Sequence, residues 1–564
     1  MMTLRTVFLA SASALMLASC GGGGGDSSAP QSKASAAAAK VSSESPLEKT
    51  FSVKGAEELD VKRLFSLLPP GLEATYADTS FDKKTGATTV SGIKIFEVSQ
   101  TSVAETYYES TEGYLEVGRA EFFGVDLELL EGINETEATV DAPFKTAFEK
   151  VRFFDLKFAG SDEDEAKFSM GAIEFDKLDI REGGMPAEKS DGAIAFFFNS
   201  FSMAGIYAKD IAFGAGQEGL ALSFSAPDMR VIGLGGGKLD TFLAKDLEYN
   251  LQQDVDTLAA LGGSASPAGT ILDGPLGNFI APEKQRAIVE SVVWNSINLS
   301  GIMDYALKSE EPPVTATDLI DLGNISVLNT KTFIGERVFS FTPETTVSDM
   351  KFTWLAPSKI RSESKGGTYD FTAYTEGQEE LTEALKELGL DKVKADSLLT
   401  YDWNAKKGGA DFVTNFDADG LADVSMSFGA EGLVLKDLYD AMKAGDKDAV
   451  STLGEFEGLS IEIADEKLLD AIFTLGGMQA GISAEDARQT AIGGLNIARL
   501  QAAQFGGRFN DYIDAIGAFL EEGGTLKIDA SPEKPVPFSA FTSVVADGPA
   551  AATELVDLTI SHKK

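Results

Sequence analysis

Asp155-Leu156-Lys157-Phe158, Asp210-Ile211-Ala212-Phe213 and Asp246-Leu247-Glu248-Tyr249 repeat one pattern: aspartate, apolar, any residue, apolar. It occurs again as Asp126-Leu127-Glu128-Leu129, Asp349-Met350-Lys351-Phe352 and Asp557-Leu558-Thr559-Ile560. With a side-chain period of two, the apolar members share one face of a strand and the aspartate takes the other. One dry and one wet face favour antiparallel sheet. The unequal spacing of the six copies excludes a strict solenoid. The expected fold class is α+β, with large antiparallel β-sheets and amphipathic helices, more helical in the last third.

Working outward, residues 49–375 read as a β-rich region and 376–564 as an α+β region. The first region opens with a helix expected over Ala56–Leu68, which lines up Val61, Leu64, Phe65 and Leu68 before Pro69-Pro70-Gly71. A hairpin is expected between Tyr76 and Ile95, turning at Asp82-Lys83-Lys84-Thr85-Gly86. Ile288, Val289 and Val292 predict a helical insert over Pro282–Trp294. In the last third, Thr375-x-x-Gln378 reads as a capping box for a helix with Leu381, Ala384, Leu385 and Leu388, closed by Gly389. Strands are expected around 398–403 and 410–428, and a helix over Lys436–Lys443. A helical block should follow over Asp465–Glu522, ending in a stripe of Phe509, Tyr512, Ile513, Ile516, Phe519 and Leu520 that suits a core. Gly523-Gly524 stops that helix, and Thr525–Asp529 reads as a strand.

Composition narrows the chemistry. The chain has 48 Lys and Arg against 88 Asp and Glu, with 43% hydrophobic and 24% charged residues. Such a composition is globular. A strongly acidic surface repels nucleic acid and anionic headgroups, so no nucleic-acid partner is expected. His562 is the one histidine, and beside Lys563 and Lys564 it is expected to be exposed and inert. Serine or cysteine catalysis built on a packed histidine, and zinc held by His and Cys, have no residues to use. No catalytic residue and no cofactor is assigned.

The start of the chain has a separate logic. Arg5 precedes an apolar run, Val7 to Leu17, too short to remain as a membrane-spanning helix. Leu17-Ala18-Ser19-Cys20 closes the run, and Cys20 is the one cysteine of the chain. These residues resemble the lipobox of bacterial lipoproteins. The resemblance implies a signal peptide over 1–19, cleavage before Cys20, and acylation of Cys20, whose chains (palmitate among them) anchor the protein in the membrane. Gly21, where an aspartate would favour the inner membrane, points to the outer membrane. The expected location is the cell envelope, periplasmic side included. Residues 20–48 form the lipidated cysteine and a Gly/Ser/Ala-rich tether. Its 28 residues after Cys20 have a mean reach of about 30 Å. Without the leader's Arg5 the mature chain carries 47 basic and 88 acidic residues, a net charge of −41, so attachment rests on lipid and not on a basic face. The C-terminal Ser561-His562-Lys563-Lys564 lacks the aromatic end of an outer-membrane barrel.

Candidate sites are few. Asn415, Asp417, Asp419 and Asp423 with Gly420 resemble a calcium loop of EF-hand or dockerin type. Met426 stands at its twelfth position, and the alternation of Val424, Met426 and Phe428 favours a hairpin turning at Asp417-Ala418-Asp419-Gly420. Gly233-x-Gly235-Gly236-Gly237-Lys238 lacks the spacing of a phosphate loop and reads as a glycine-rich turn. Asp162-Glu163-Asp164-Glu165 reads as a solvated turn. The expected function is non-catalytic binding or scaffolding of an envelope protein partner. The alternative is a carrier of lipid or another apolar ligand in a sheet-lined groove, since the one-sided strands resemble in style AsmA-like envelope proteins, which hold lipid along a curved sheet. A carboxylate-dependent hydrolase is a distant third reading.

Overall fold

Alternating apolar and polar residues become long antiparallel strands over much of the chain. A computed structural model describes residues 46–69, 71–97, 101–103, 106–108, 114–132, 142–159, 167–181, 199–217, 220–253, 284–308, 310–314, 316–353, 356–375, 379–502, 507–544 and 549–564. Cys20, most of the tether and the acidic turn at 162–165 lie outside the described residues. The α+β class dominated by antiparallel sheet is what the structure has. The chain divides into two compact units, one of residues 30–312 and 319–335, the other including 313–318 and 336–564. The division falls before residue 375 because the strands that start at 337 pair onward into the helix-rich half.

The described part of the N-terminal unit starts with a 3-10 turn, Pro46–Glu48, and the Pro46 carbonyl accepts from Arg152, so these last residues of the expected tether sit against the folded body. Its strands are β1 (Leu72–Thr75), β2 (Asp78–Asp82), β3 (Ala87–Glu97), β4 (Thr101–Val103), β5 (Thr106–Tyr108), β6 (Tyr114–Phe123), β7 (Phe144–Ala159), β8 (Lys167–Arg181), β9 (Phe201–Gln217), β10 (Leu220–Gly235), β11 (Lys238–Gln253), β12 (Lys284–Asn298), β13 (Ile320–Asp321) and β14 (Asn324–Ile334). β3, β6 to β12 and β14 pair in that order, each antiparallel to the next. β1 and β2 share the outer edge of β3, and the expected hairpin is β2–β3. Gly236-Gly237, at φ 56° and 73°, make the two-residue turn between β10 and β11.

Among the described residues, three short helices flank these strands: α1 (Val61–Phe65), α2 (Leu127–Gly132) and α3 (Ser300–Leu307). α1 is shorter than expected because Asp60 caps it, accepting from Arg63 N at 3.1 Å, and fixes its start. Asp126 likewise opens α2, accepting from Leu129 N at 2.9 Å, so this copy of the four-residue pattern is helical. Where a helix is expected over 282–294, the described residues from Lys284 onward form β12 instead. One apolar cluster contains Val90, Ile93, Val117, Ala120 and Val151, and a second Ala208, Ile211, Ala226, Ala244, Leu247 and Val292.

The C-terminal unit contains β15 (Arg337–Phe352), β16 (Pro357–Tyr369), α4 (Glu379–Glu387), β17 (Val393–Trp403), β18 (Ala410–Asp419), β19 (Ala422–Glu431), α5 (Leu435–Lys443), α6 (Ala449–Leu453), β20 (Glu455–Asp465), α7 (Leu468–Ala480), α8 (Ala484–Ala502), α9 (Gly507–Glu522), β21 (Gly524–Ala530), β22 (Val536–Pro537), α10 (Phe538–Val544), α11 (Pro549–Leu555) and β23 (Leu558–Lys563). β15 to β21 pair in chain order, and β23 closes on β21. α4 ends as expected: Gly389 turns left-handed at φ 81°, and Leu390 N donates to Leu385 O at 2.9 Å. The expected helical block is α7, α8 and α9. Leu469 and Phe473 of α7 and Phe519 of α9 share a core with Leu526 on β21. His562 is not free in solvent. It pairs with Leu526, sits against Phe519 at 6.4 Å, and its Nε2 lies 2.7 Å from Gly523 O, because β23 closes over the end of α9.

Candidate functional site

The aspartates of the repeated pattern hold an unusual backbone. Asp155, Asp210 and Asp246 lie within β7, β9 and β11 at φ 55°, 53° and 50°. Asn329 in β14 and Gly92 in β3 share this left-handed conformation, at φ 50° and 62°. Aspartate, asparagine and glycine are the residues that tolerate it best. The positions line up across the sheet. Gly92 faces Gly118, which faces Asp155, then Gly171, Asp210, Pro227, Asp246, Glu290 and Asn329. The register is the same on both sides of this row: Phe154 pairs with Ala172 and Leu156 with Met170.

What changes at the row is which face a side chain takes. In a regular strand, residues three apart point to opposite faces. Here Ala208 and Ile211, Ala244 and Leu247, and Met170 and Ile173 belong to one apolar cluster. Val90 and Ile93, and Val117 and Ala120, do the same in the other. These strands therefore slip their alternation at the same line, and the slip is shared, so no ladder goes out of step. A second line crosses β8, β10 and β12 at Lys177, Gly233 and Ser296, at φ 41°, 66° and 63°. Asp349 on β15 repeats the conformation at φ 53° in the other unit, with a register irregularity beside it. Asp557 adopts φ 47° in the turn before β23.

The row leaves a groove of about 400 Å³ lined by Glu116, Gly118, Asp155, Leu156, Lys157, Ser169, Met170, Gly171 and Asp210. Side chains at its glycines would be crowded. A Cβ on Gly118 would stand 3.0 Å from that of Asp155, and one on Gly171 would stand 3.0 Å from that of Asp210. Lys157 pairs with Glu116 at 3.2 Å, and Asp210 keeps 60% of its side chain exposed. Within the groove, Asp155 and Asp210 stand on alternate strands, about 10 Å apart, with Glu116 on the strand next to Asp155. A second groove of about 410 Å³ in the C-terminal unit is lined by Asp402, Asn404, Lys407, Gly409, Asp411, Glu431 and Gly432.

Beside the row, a largely buried line of charged and polar side chains crosses β6 to β10. Glu121, Arg152, Glu174, Tyr207 and Arg230 face one another in register. Arg152 is 6% exposed and Glu174 2%. Arg152 Nε donates to Glu174 Oε2 at 2.7 Å, and Lys150 Nζ to Glu174 Oε1 at 2.6 Å. Arg230 donates to Asp228 at 2.7 Å and lies 5.0 Å from the Tyr207 ring centre. Bonding to Asp228 raises the Arg230 guanidinium above its ordinary value.

The four calcium candidates do not form a loop. Asn415, Asp417 and Asp419 run along β18 and Asp423 sits on β19, opposite Asp417. Along an extended strand alternate side chains are about 7 Å apart, too far to converge on one ion at about 2.3–2.6 Å. The turn falls one residue later than expected, at Ala418-Asp419-Gly420-Leu421, with Leu421 N donating to Ala418 O at 2.8 Å. Among the described residues, no group of three or more His, Cys, Asp or Glu is arranged to hold a metal ion. Asp417 also faces Asp396 on β17. Partial desolvation, then the Asp423 carboxylate, push the Asp417 carboxyl above its ordinary range.

Sequence reasoning finds the row's aspartates but not the slip, nor Gly118, Gly171 and the buried charges. The signal that could have found the slip is the apolar spacing of three across each aspartate, as from Ala208 to Ile211. Among the described residues no helix is long and apolar enough to cross a membrane. A family model described as "Uncharacterized protein" matches residues 415–563, the stretch from β18 to β23. No curated protein matches the chain.

Proposed function

We propose that this chain is a lipid-anchored protein of the bacterial cell envelope whose folded body binds or scaffolds a partner without catalysing a reaction. The observation that carries the reading is Leu17-Ala18-Ser19-Cys20 at the end of an export-like apolar run, in a chain with no other cysteine. Acylation at about 0.8 kcal/mol per buried methylene makes such an anchor stable. The groove of the C-terminal unit supports a polar partner: it is lined by carboxylates, an asparagine, a lysine and glycine backbone, a poor surface for an acyl chain, whereas the other adds Leu156 and Met170 to its carboxylates and lysine. The outer membrane is the expected location from Gly21.

The test is metabolic labelling with an alkyne fatty acid. Label should enter the wild-type protein and be absent from Cys20→Ala, with the body released from membranes. Equal labelling of the variant would overturn the anchor. Cross-linking in the envelope should recover a specific protein partner. The carrier reading is favoured by the apolar cluster on β9 to β12, centred on Ala208, Ala226, Ala244 and Leu247. Co-purified lipid in native mass spectra would favour it, and a clean mass of the bare chain would count against it.

A further inference from the structure

Residues 46–59 lie over the buried charges of β7 and β8. Arg152 Nη2 donates to Lys49 O at 3.0 Å and Pro46 O at 3.4 Å. Lys150 Nζ stands 4.9 Å from the Phe51 ring centre, and Phe51 meets Phe123 edge-on at 5.3 Å. Val53 N donates to Thr85 O, and Leu59 N to Thr88 Oγ1, both at 2.9 Å. The segment adds no strand to the sheet, and more than half of its residues are exposed. Its hold on the body is the Phe51 ring, Leu59 packed at the margin of the cluster of Val90 and Ile93, Val53 and Ala56 against Gly86, a few hydrogen bonds and the carbonyls taken by one arginine.

Energetically this attachment differs from the strands beside it. A strand pulled from the sheet leaves a whole ladder of backbone groups unpaired. Lifting residues 46–59 lets water reach Lys150, Arg152 and Glu174, which remain paired to one another and recover hydration. Opening therefore leaves no buried charge among these three without a partner. We propose that residues 46–59 are a releasable latch that docks the root of the N-terminal tether on the sheet. The consequence rests on the anchored reading above. When closed, the tether ends at residue 45; when open, it runs to Asp60, the cap of α1, and gains about 45 Å of extended reach.

Hydrogen exchange on the full chain tests the latch with no lipid required. The amides of Val53 and Leu59 should exchange at least about tenfold faster than the paired amides of β10 and β11, by local opening. Arg152→Met should speed them about tenfold further while β10 and β11 keep their protection. Phe51→Ala leaves the buried charges in place and should act in the same direction. The latch is overturned if Val53 and Leu59 exchange only together with β10 and β11, or if Phe51→Ala leaves both amides unchanged. A fast latch on a chain without lipid at Cys20 would sink the anchor alone, and a lipidated chain with a slow latch would sink the latch alone.

Discussion

Asp210 occupies a backbone region that costs most side chains of order 1 kcal/mol or more. Asp210→Gly should therefore leave stability within about 0.5 kcal/mol or raise it slightly, whereas Asp210→Val should lower it by about 1–3 kcal/mol in urea unfolding. Equal losses in both variants would show that the carboxylate and not the backbone matters. Gly171→Ala places a Cβ 3.0 Å from that of Asp210, so the two positions should couple. Combining Gly171→Ala with Asp210→Gly should recover part of the single loss, read from a double-mutant cycle. Asp417 gives a pH signature. Its folded value is raised, so its contribution is intact at low pH and is lost as pH rises through that value. Asp417→Asn should raise the melting temperature at neutral pH, and the gain should shrink toward zero in acid. A gain independent of pH would exclude relief of the Asp423 and Asp396 charges as its cause.

At the scale of elements, apolar stripes are legible where a single period runs unbroken. The stripe of α9 is one, and Tyr512 and Phe519 are buried as it predicts. Phe519→Ala should cost about 3–5 kcal/mol, checked by thermal or urea unfolding. Strand β12 imitates a helix for a physical reason. The slip at Glu290 puts Val289 and Val292 in one cluster three residues apart, which counterfeits helical spacing. Asp126 departs from the strand pattern because an aspartate before apolar residues serves equally as a helix cap. The calcium candidates match a loop by spacing alone, and the pairing of β18 with β19 overrides that spacing. The buried line from Glu121 to Arg230 leaves no local signal, since its members come from five strands and meet only through register.

At the scale of the whole molecule, the C-terminal unit holds four apolar cores of its own, around Leu385, Trp403, Phe456 and Phe519. Residues 336–564 expressed alone should fold and melt cooperatively, with strand and helix signals by circular dichroism. A fragment without a melting transition would show that this unit depends on the rest of the chain. In the N-terminal unit, the shared slip bears on misfolding. Displacing one strand by two residues restores its dry and wet faces, so alternation alone does not forbid that error. Here such a displacement would move a left-handed aspartate off its glycine and against a larger side chain, with its own phase change now out of line with its neighbours. The row works like the notch on a key: among many equivalent ways of aligning long, similar strands, it admits one.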